Sequence, residues 1–214
     1  MMQSNPKPSK EPDDKSRYTE NFDKFYTRFA KVYDLLIQGI PLWSNWLKHI
    51  LPYLKGPRIL EISFGTGYLL TQYELGFQVY GIDYNMVMVK TAKKNLEKNG
   101  VQASLQQADV YHLPYATDSI DSIVSTMAFS GYLDGQAALA EMRRVLKRGG
   151  QLLMIDIYYP RDQNWLGMSF ARVWKSSGDI LREMSPLFEA MEMKWTEKEI
   201  GGFGSVHLYL AQKQ

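Results

Sequence analysis

A chain of 214 residues with a formal net charge of +2 and 45% hydrophobic content has the size of one domain and enough apolar residues for a core. Its near-balanced charge gives no nucleic-acid footprint, and the absence of cysteine excludes disulfides, thiolate zinc sites and cysteine nucleophiles. No apolar run is long enough to cross a bilayer and the N-terminus is polar rather than signal-like, so the expected location is cytoplasmic.

Residues 1–17 hold four lysines and arginines, three acids and three prolines with almost nothing apolar, a composition that predicts a disordered tail. One domain is expected over 18–214. From Tyr18 to Leu54 aromatic and aliphatic residues return at helical intervals. Phe22, Phe25, Tyr26, Phe29, Val32, Tyr33, Leu36 and Ile37 line one helical face. Gly39-Ile-Pro41 breaks that helix, a second follows over 42–52, and Lys55-Gly-Pro57 turns into a strand.

The strand Arg58-Ile-Leu-Glu-Ile62 is apolar apart from Glu61, a carboxylate that needs a partner if it is buried. Gly65 and Gly67 follow, where bare backbone lets a ligand approach closely. A helix is expected next, its first N–H groups aimed at the same small space. Carboxylate, bare backbone and helix N-terminus together suit a ligand that carries both an ammonium and a carboxylate. Gln78–Tyr84 reads as a second strand ending in Asp83, 18 residues after Gly65. An acid there, close to the usual interval of about 20, accepts from ribose hydroxyls in nucleotide-binding α/β folds. The plainer role for Asp83 is capping the helix that begins near Asn85-Met86.

Glu61-Ile-Ser-Phe-Gly65-Thr-Gly67 resembles the nucleotide loop of class I S-adenosylmethionine (SAM)-dependent methyltransferases, whose pattern is acid-x-Gly-x-Gly-x-Gly. The acid and the last two glycines are kept, and Ser63 stands at the first glycine. A positive φ there strains serine by about 1 kcal/mol, whereas a negative φ leaves it harmless. The rival nicotinamide pattern G-x-G-x-x-G fails at Leu70. The resemblance implies that Glu61, Ser63, Gly65 and Gly67 bind SAM, that Asp83 takes the ribose, and that Tyr84 and Met86 border the adenosine. It also implies that Asp109 accepts from the adenine amino group and that Val110 packs on the ring. Thr126 and Met127, at the end of the fourth strand Ser119–Met127, complete the implied set.

Further along, Asp121 stands at the entry of the fourth strand, where the resemblance implies an acid that helps hold the sheet. Ala137 to Arg148 reads as a helix with Leu139, Met142, Val145 and Leu146 on one face, stopped by Gly149-Gly150 before a fifth strand at 151–157. "Helix, Arg-Val-Leu-Lys-x-Gly-Gly, strand" resembles the same family. Residues 158–192, rich in aromatics and methionines, resemble its substrate-cap insertion; packing as an ordinary insertion is the alternative. Arg161, Arg172 and Lys175 suit anionic headgroups there, with peripheral membrane contact. Residues 193–200 and 205–211 alternate at strand period around Gly201–Gly204, which predicts an antiparallel hairpin in which His207 is a satisfied strand residue.

The expected fold is therefore a three-layer α/β Rossmann-like seven-stranded sheet with a C-terminal hairpin and N-terminal lid helices over 18–54. Phe29-Ala-Lys-Val-Tyr33-Asp34 with Gly39 and Trp46 is similar to the opening of quinone and phospholipid methyltransferases, which implies a small apolar or amphiphilic acceptor. Tyr26 and Tyr33 are the pocket-lining and catalytic candidates; Tyr132 has no support beyond its residue type. No metal-ligand cluster is visible. Thr126–Gly131 lacks the Asn/Asp-Pro-Pro-Tyr signature of base and glutamine methylation, and the arsenite branch depends on thiols. The remaining readings are a catalytically silent SAM-binding partner subunit, motivated by Ser63, an aminopropyltransferase, for which Asp134 is the one acid after the fourth strand, and a nicotinamide oxidoreductase.

Overall fold

The computed structural model describes residues 41–214 except Glu74. The expected tail, the first lid helix, Tyr26 and Tyr33 lie outside the described residues. The elements, in chain order, are α1 (Pro41–Lys48), β1 (Arg58–Ile62), β2 (Gln78–Asp83), α2 (Met86–Asn99), β3 (Ser104–Gln107) and β4 (Ile120–Thr126). They continue with α3 (Gly135–Val145), β5 (Leu146–Ile157), α4 (Trp165–Ser176), α5 (Ser185–Ala190), β6 (Met193–Gly201) and β7 (Val206–Lys213).

The seven strands form one sheet in the order β3-β2-β1-β4-β5-β7-β6. The first five run parallel, and β7 is antiparallel to both β5 and β6. The order reverses between β1 and β4, which places a crevice at their carboxyl ends, where open α/β sheets bind ligands. Alternation along the strands splits the core into two layers. Ile59, Val79, Val124, Leu153, Ile155 and Leu208 face α1, α2 and α4. Leu60, Ile82, Ile123, Leu152, Met154 and Tyr209 face α3 and α5.

Local chemistry starts and stops the helices. Asn85 accepts from the Val87 and Met88 N–H groups, and Gly100 at φ 67° ends α2 in the left-handed conformation. Asp134 caps α3 through Ala137 N–H, and Asn164 caps α4 through Gly167 N–H. Asp121 accepts Arg58 N–H at 3.0 Å and holds Lys147 at 2.6 Å, tying β1, β4 and β5 together as expected.

Three expectations change. No α-helix follows the glycine loop: a short 3-10 turn, Leu69–Gln72, takes its place. The loop takes residues 63–67 of the connection between β1 and β2, and the ten that remain, 68–77, hold the 3-10 turn and the return to the sheet. Second, α3 ends at Val145, before Gly149-Gly150. Asp118 and Ser119 N–H groups claim the carbonyls of Arg144 and Val145, and Leu146 already pairs with Ile120. The two glycines therefore form an irregularity inside β5, where Gly149 has φ 73°. Third, His207 is only half satisfied: its Nε2 has no partner among the described residues.

The hairpin is found where it is expected. The 158–192 segment carries α4 and α5, and α4 packs on α1 through Trp43 against Trp174 (5.5 Å) and Trp46 against Phe170 (6.1 Å). Phe170 and Trp174 are thus packed between helices, whereas Trp165 is exposed. Trp46 also reaches the hairpin. A β-carbon on Gly201 would lie 2.0 Å from its indole nitrogen, so only glycine fits there.

Candidate functional site

The end of β1 carries Glu61 into the interior, 1% exposed. Its partner is Tyr73, whose hydroxyl donates to Glu61 Oε2 at 2.6 Å. Burial raises the Glu61 carboxyl to about 8; the Tyr73 bond opposes the shift, and the neighbouring Asp83 charge adds to it. Burial, with Glu61 beside it, likewise raises the Tyr73 phenol.

Beyond Glu61 the chain turns sharply. Ser63 N–H donates to Ile82 O at 2.8 Å, and Ser63 adopts φ 55°, the left-handed region that favours glycine. The serine is therefore strained, and its hydroxyl meets the Tyr132 hydroxyl at 2.8 Å. Tyr132 is partly buried, and desolvation pushes its phenol upward. Gly65 has φ 56°, and a β-carbon on it would meet nothing within 4 Å: the open space beside it is the cleft. Gly67 differs. Its β-carbon would fall 2.9 Å from that of Ala92, so it lets the loop lie close on α2.

Asp83 fixes this loop from β2. One carboxylate oxygen accepts Gly65 N–H and the other accepts Asn85 N–H, both at 2.9 Å. Asn85, not Asp83, caps α2.

Of the residues singled out in the sequence, Glu61, Ser63, Gly65, Thr126 and Met127 line one cleft, and Gly67 and Asp83 support its loop from behind. Met127, at φ 52°, is held by its N–H bond to Ile155 O. Trp43 and Leu47 of α1, with Phe64 and Tyr68 of the loop, also line it and leave about 30 Å³. That is the space of about one water molecule. The donor set suits an ammonium-bearing ligand, while a ligand of SAM's size needs those apolar side chains to part. Tyr84, Met86, Asp109 and Val110 do not line this cleft. Tyr84 and Met86 are exposed at the start of α2. Asp109 accepts Tyr111 N–H at 3.0 Å, and Val110 is buried in the α3 layer of the core.

Tyr73 and the lining residues Trp43, Leu47, Phe64 and Tyr68 escape a reading of the sequence. Nothing local marks Tyr73 as Glu61's partner, because the contact depends on the 3-10 turn. Trp43 and Leu47 reach the cleft only through the docking of α1.

A methyltransferase-domain family matches residues 60–154, the span from β1 through most of β5. The ubiquinone/menaquinone biosynthesis C-methyltransferase UbiE of Haemophilus ducreyi is 28% identical over 209 residues, covering 88% of this chain and 80% of that protein. The chain is a class I SAM-dependent methyltransferase.

Another relative is named for a different acceptor. The phosphatidylethanolamine N-methyltransferase of Cereibacter sphaeroides is 29% identical over 111 residues, 51% of this chain and 54% of that one. Among solved structures, a SAM-dependent methyltransferase from Thermotoga maritima has the same fold, with a TM-score of 0.70 at 18% identity over 88% of this chain and 98% of its own. Geranyl diphosphate C-methyltransferase from Streptomyces coelicolor, solved with S-adenosylhomocysteine, shares the fold with a TM-score of 0.66 at 13% identity, over 81% of this chain and 78% of that one. Among the described residues no helix is long and apolar enough to cross a membrane, and no cluster of three or more ligating side chains could hold a metal.

Proposed function

We propose that this methyltransferase moves the methyl group of SAM to a small apolar or amphiphilic acceptor, quinone-like or lipid-like. The observation that carries the reading is the cleft itself, where buried Glu61 and bare Gly65 meet Thr126 and Met127 at the reversal of strand order. SAM supplies an activated methyl, so the chain needs no nucleophile of its own. Its residues bind, orient and exclude water.

In this reading Glu61 receives the ammonium end of the cofactor. The Gly65–Gly67 backbone lies along it, and Asp83 accepts from the ribose. Tyr84 and Met86 border the adenosine, and Asp109 takes the adenine amino group. Val110 serves through its backbone, because its side chain is committed to the core. The acceptor enters beneath α1 and α4, whose facing tryptophans supply an apolar roof. Relatives named for quinone C-methylation and for phosphatidylethanolamine N-methylation support that acceptor class.

A silent SAM-binding partner subunit is the second reading, favoured by the strained Ser63 at a glycine position. Turnover separates the two. The protein is incubated with SAM and either a prenylated quinol or phosphatidylethanolamine vesicles, and S-adenosylhomocysteine is measured. Release that depends on one acceptor supports the enzyme; binding of SAM without release for any acceptor supports the silent module.

A further inference from the structure

We infer that a cavity beside the end of β5, between His207 and Glu183, is a second ligand site that takes a small primary amine.

The cavity has a volume of about 400 Å³, within the usual range for small-molecule sites, and shares no lining residue with the glycine-loop cleft. Val124 and Leu208 belong to the core layer on the Glu61 side, whereas His207 alternates with Leu208 and shares its face with Tyr209 of the other layer.

His207 is fully buried and lines this cavity. Its Nδ1 lies 2.5 Å from Glu197 Oε1, while its Nε2 is buried with no partner among the described residues. Buried polar atoms in native structures are normally paired, so an orphan nitrogen on a residue that lines a cavity points to a ligand atom. Arg161 holds Glu197 from the other side, Nη2 to Oε2 at 2.8 Å. Against a carboxylate, Nδ1 carries the proton and donates, and in the neutral ring Nε2 then presents a lone pair. The ligand atom that meets it is a donor.

Charge and wall chemistry favour an ammonium as that donor. Among the described residues Arg161 is the one lysine or arginine on the wall and is already paired with Glu197, so the exposed carboxylate of Glu183 sets the sign. Tyr209 stacks on the His207 ring at 5.9 Å, and Tyr158 meets it edge-on at 6.0 Å. Aromatic faces attract cations. Met168 and Met184 give the hydrocarbon end an adaptable apolar surface.

Calorimetric titration of the full chain with phenethylamine tests this, with 2-phenylethanol and phenylacetate as neutral and anionic controls. Phenethylamine is expected to bind at least tenfold more tightly than either control, and to bind unchanged in saturating S-adenosylhomocysteine. Glu183→Gln, an exposed change, is expected to weaken it about tenfold, as is His207→Gln. In protein labelled with ¹⁵N-histidine, the His207 Nε2 resonance is expected to move on amine addition while His49 and His112 stay still. No binding at millimolar amine, equal affinity in Glu183→Gln, or displacement by S-adenosylhomocysteine would each overturn the inference. The last outcome would place the amine in the cofactor cleft, so failure here leaves the methyltransferase reading standing.

Discussion

Tyr73 donates its hydroxyl to Glu61 Oε2 at 2.6 Å, and this one bond satisfies a carboxylate at the floor of the cleft. Removing the hydroxyl leaves Glu61 buried with less support. Tyr73→Phe is expected to destabilise the fold by about 1–3 kcal/mol, read as a lower urea midpoint. An unchanged midpoint would mean that the bond adds nothing to the fold.

The buried acids also set a pH dependence. Glu61 rises from 4.5 to about 8 on folding and Asp156 from 3.8 to about 6, chiefly through burial in both cases. The folded state therefore holds these protons more tightly than the unfolded chain. Their contribution is fully present below the unfolded values and is lost as pH rises, for Asp156 by about 6 and for Glu61 by about 8. Glu61 gives a slope of at most about 1.4 kcal/mol per pH unit. Denaturant melts of the native chain and Glu61→Gln between pH 6 and 8 are expected to diverge, with the variant gaining ground as pH rises. Parallel curves would contradict the buried-acid assignment.

Much of this framework is legible in the sequence because its signals are local. The apolar runs at 58–62 and 119–127, the glycines at 65 and 67 and the alternating hairpin each report short-range constraints. Asp83 stands at the end of its strand as expected, and its bond to Gly65 joins two motifs that the sequence shows only in series. The missed features depend on tertiary distance. The helix expected after Gly67 gives way because residues 68–77 must return to the sheet at once. Helix α3 stops early because Asp118 and Ser119 capture its last carbonyls, a contact no period in 137–148 reveals. The conformation of Ser63 likewise required the loop: its φ of 55° settles which alternative applies.

Ser63 and Tyr132 give a separable pair of effects. Ser63→Gly relieves left-handed strain of about 1 kcal/mol but loses the hydroxyl bond to Tyr132, itself worth about 0.5–1.5 kcal/mol. Its net change is expected to be under about 1 kcal/mol. Tyr132→Phe loses the bond without relief and is expected to be destabilising. In the Tyr132→Phe background, Ser63→Gly is expected to stabilise by about 1 kcal/mol. A double-mutant cycle by chemical denaturation reads all three, and strictly additive changes would show that the two hydroxyls are not coupled.

Asp83 holds the loop and, in the proposed reading, the ribose. Asp83→Ala is expected to weaken SAM binding by about 1–3 kcal/mol through lost hydrogen bonds. Calorimetry on the folded variant checks it, and an affinity equal to that of the native chain would remove Asp83 from the site.

The most direct test of the cofactor cleft is calorimetric titration of S-adenosylhomocysteine into the native chain and Gly65→Ala. The added β-carbon meets no protein atom within 4 Å, so the variant is expected to fold, with only the strain of alanine at φ 56°. Micromolar binding by the native chain and at least tenfold weaker binding by the variant is the predicted result. No binding by the native chain, or equal binding by both, would contradict the assignment of this cleft to the cofactor.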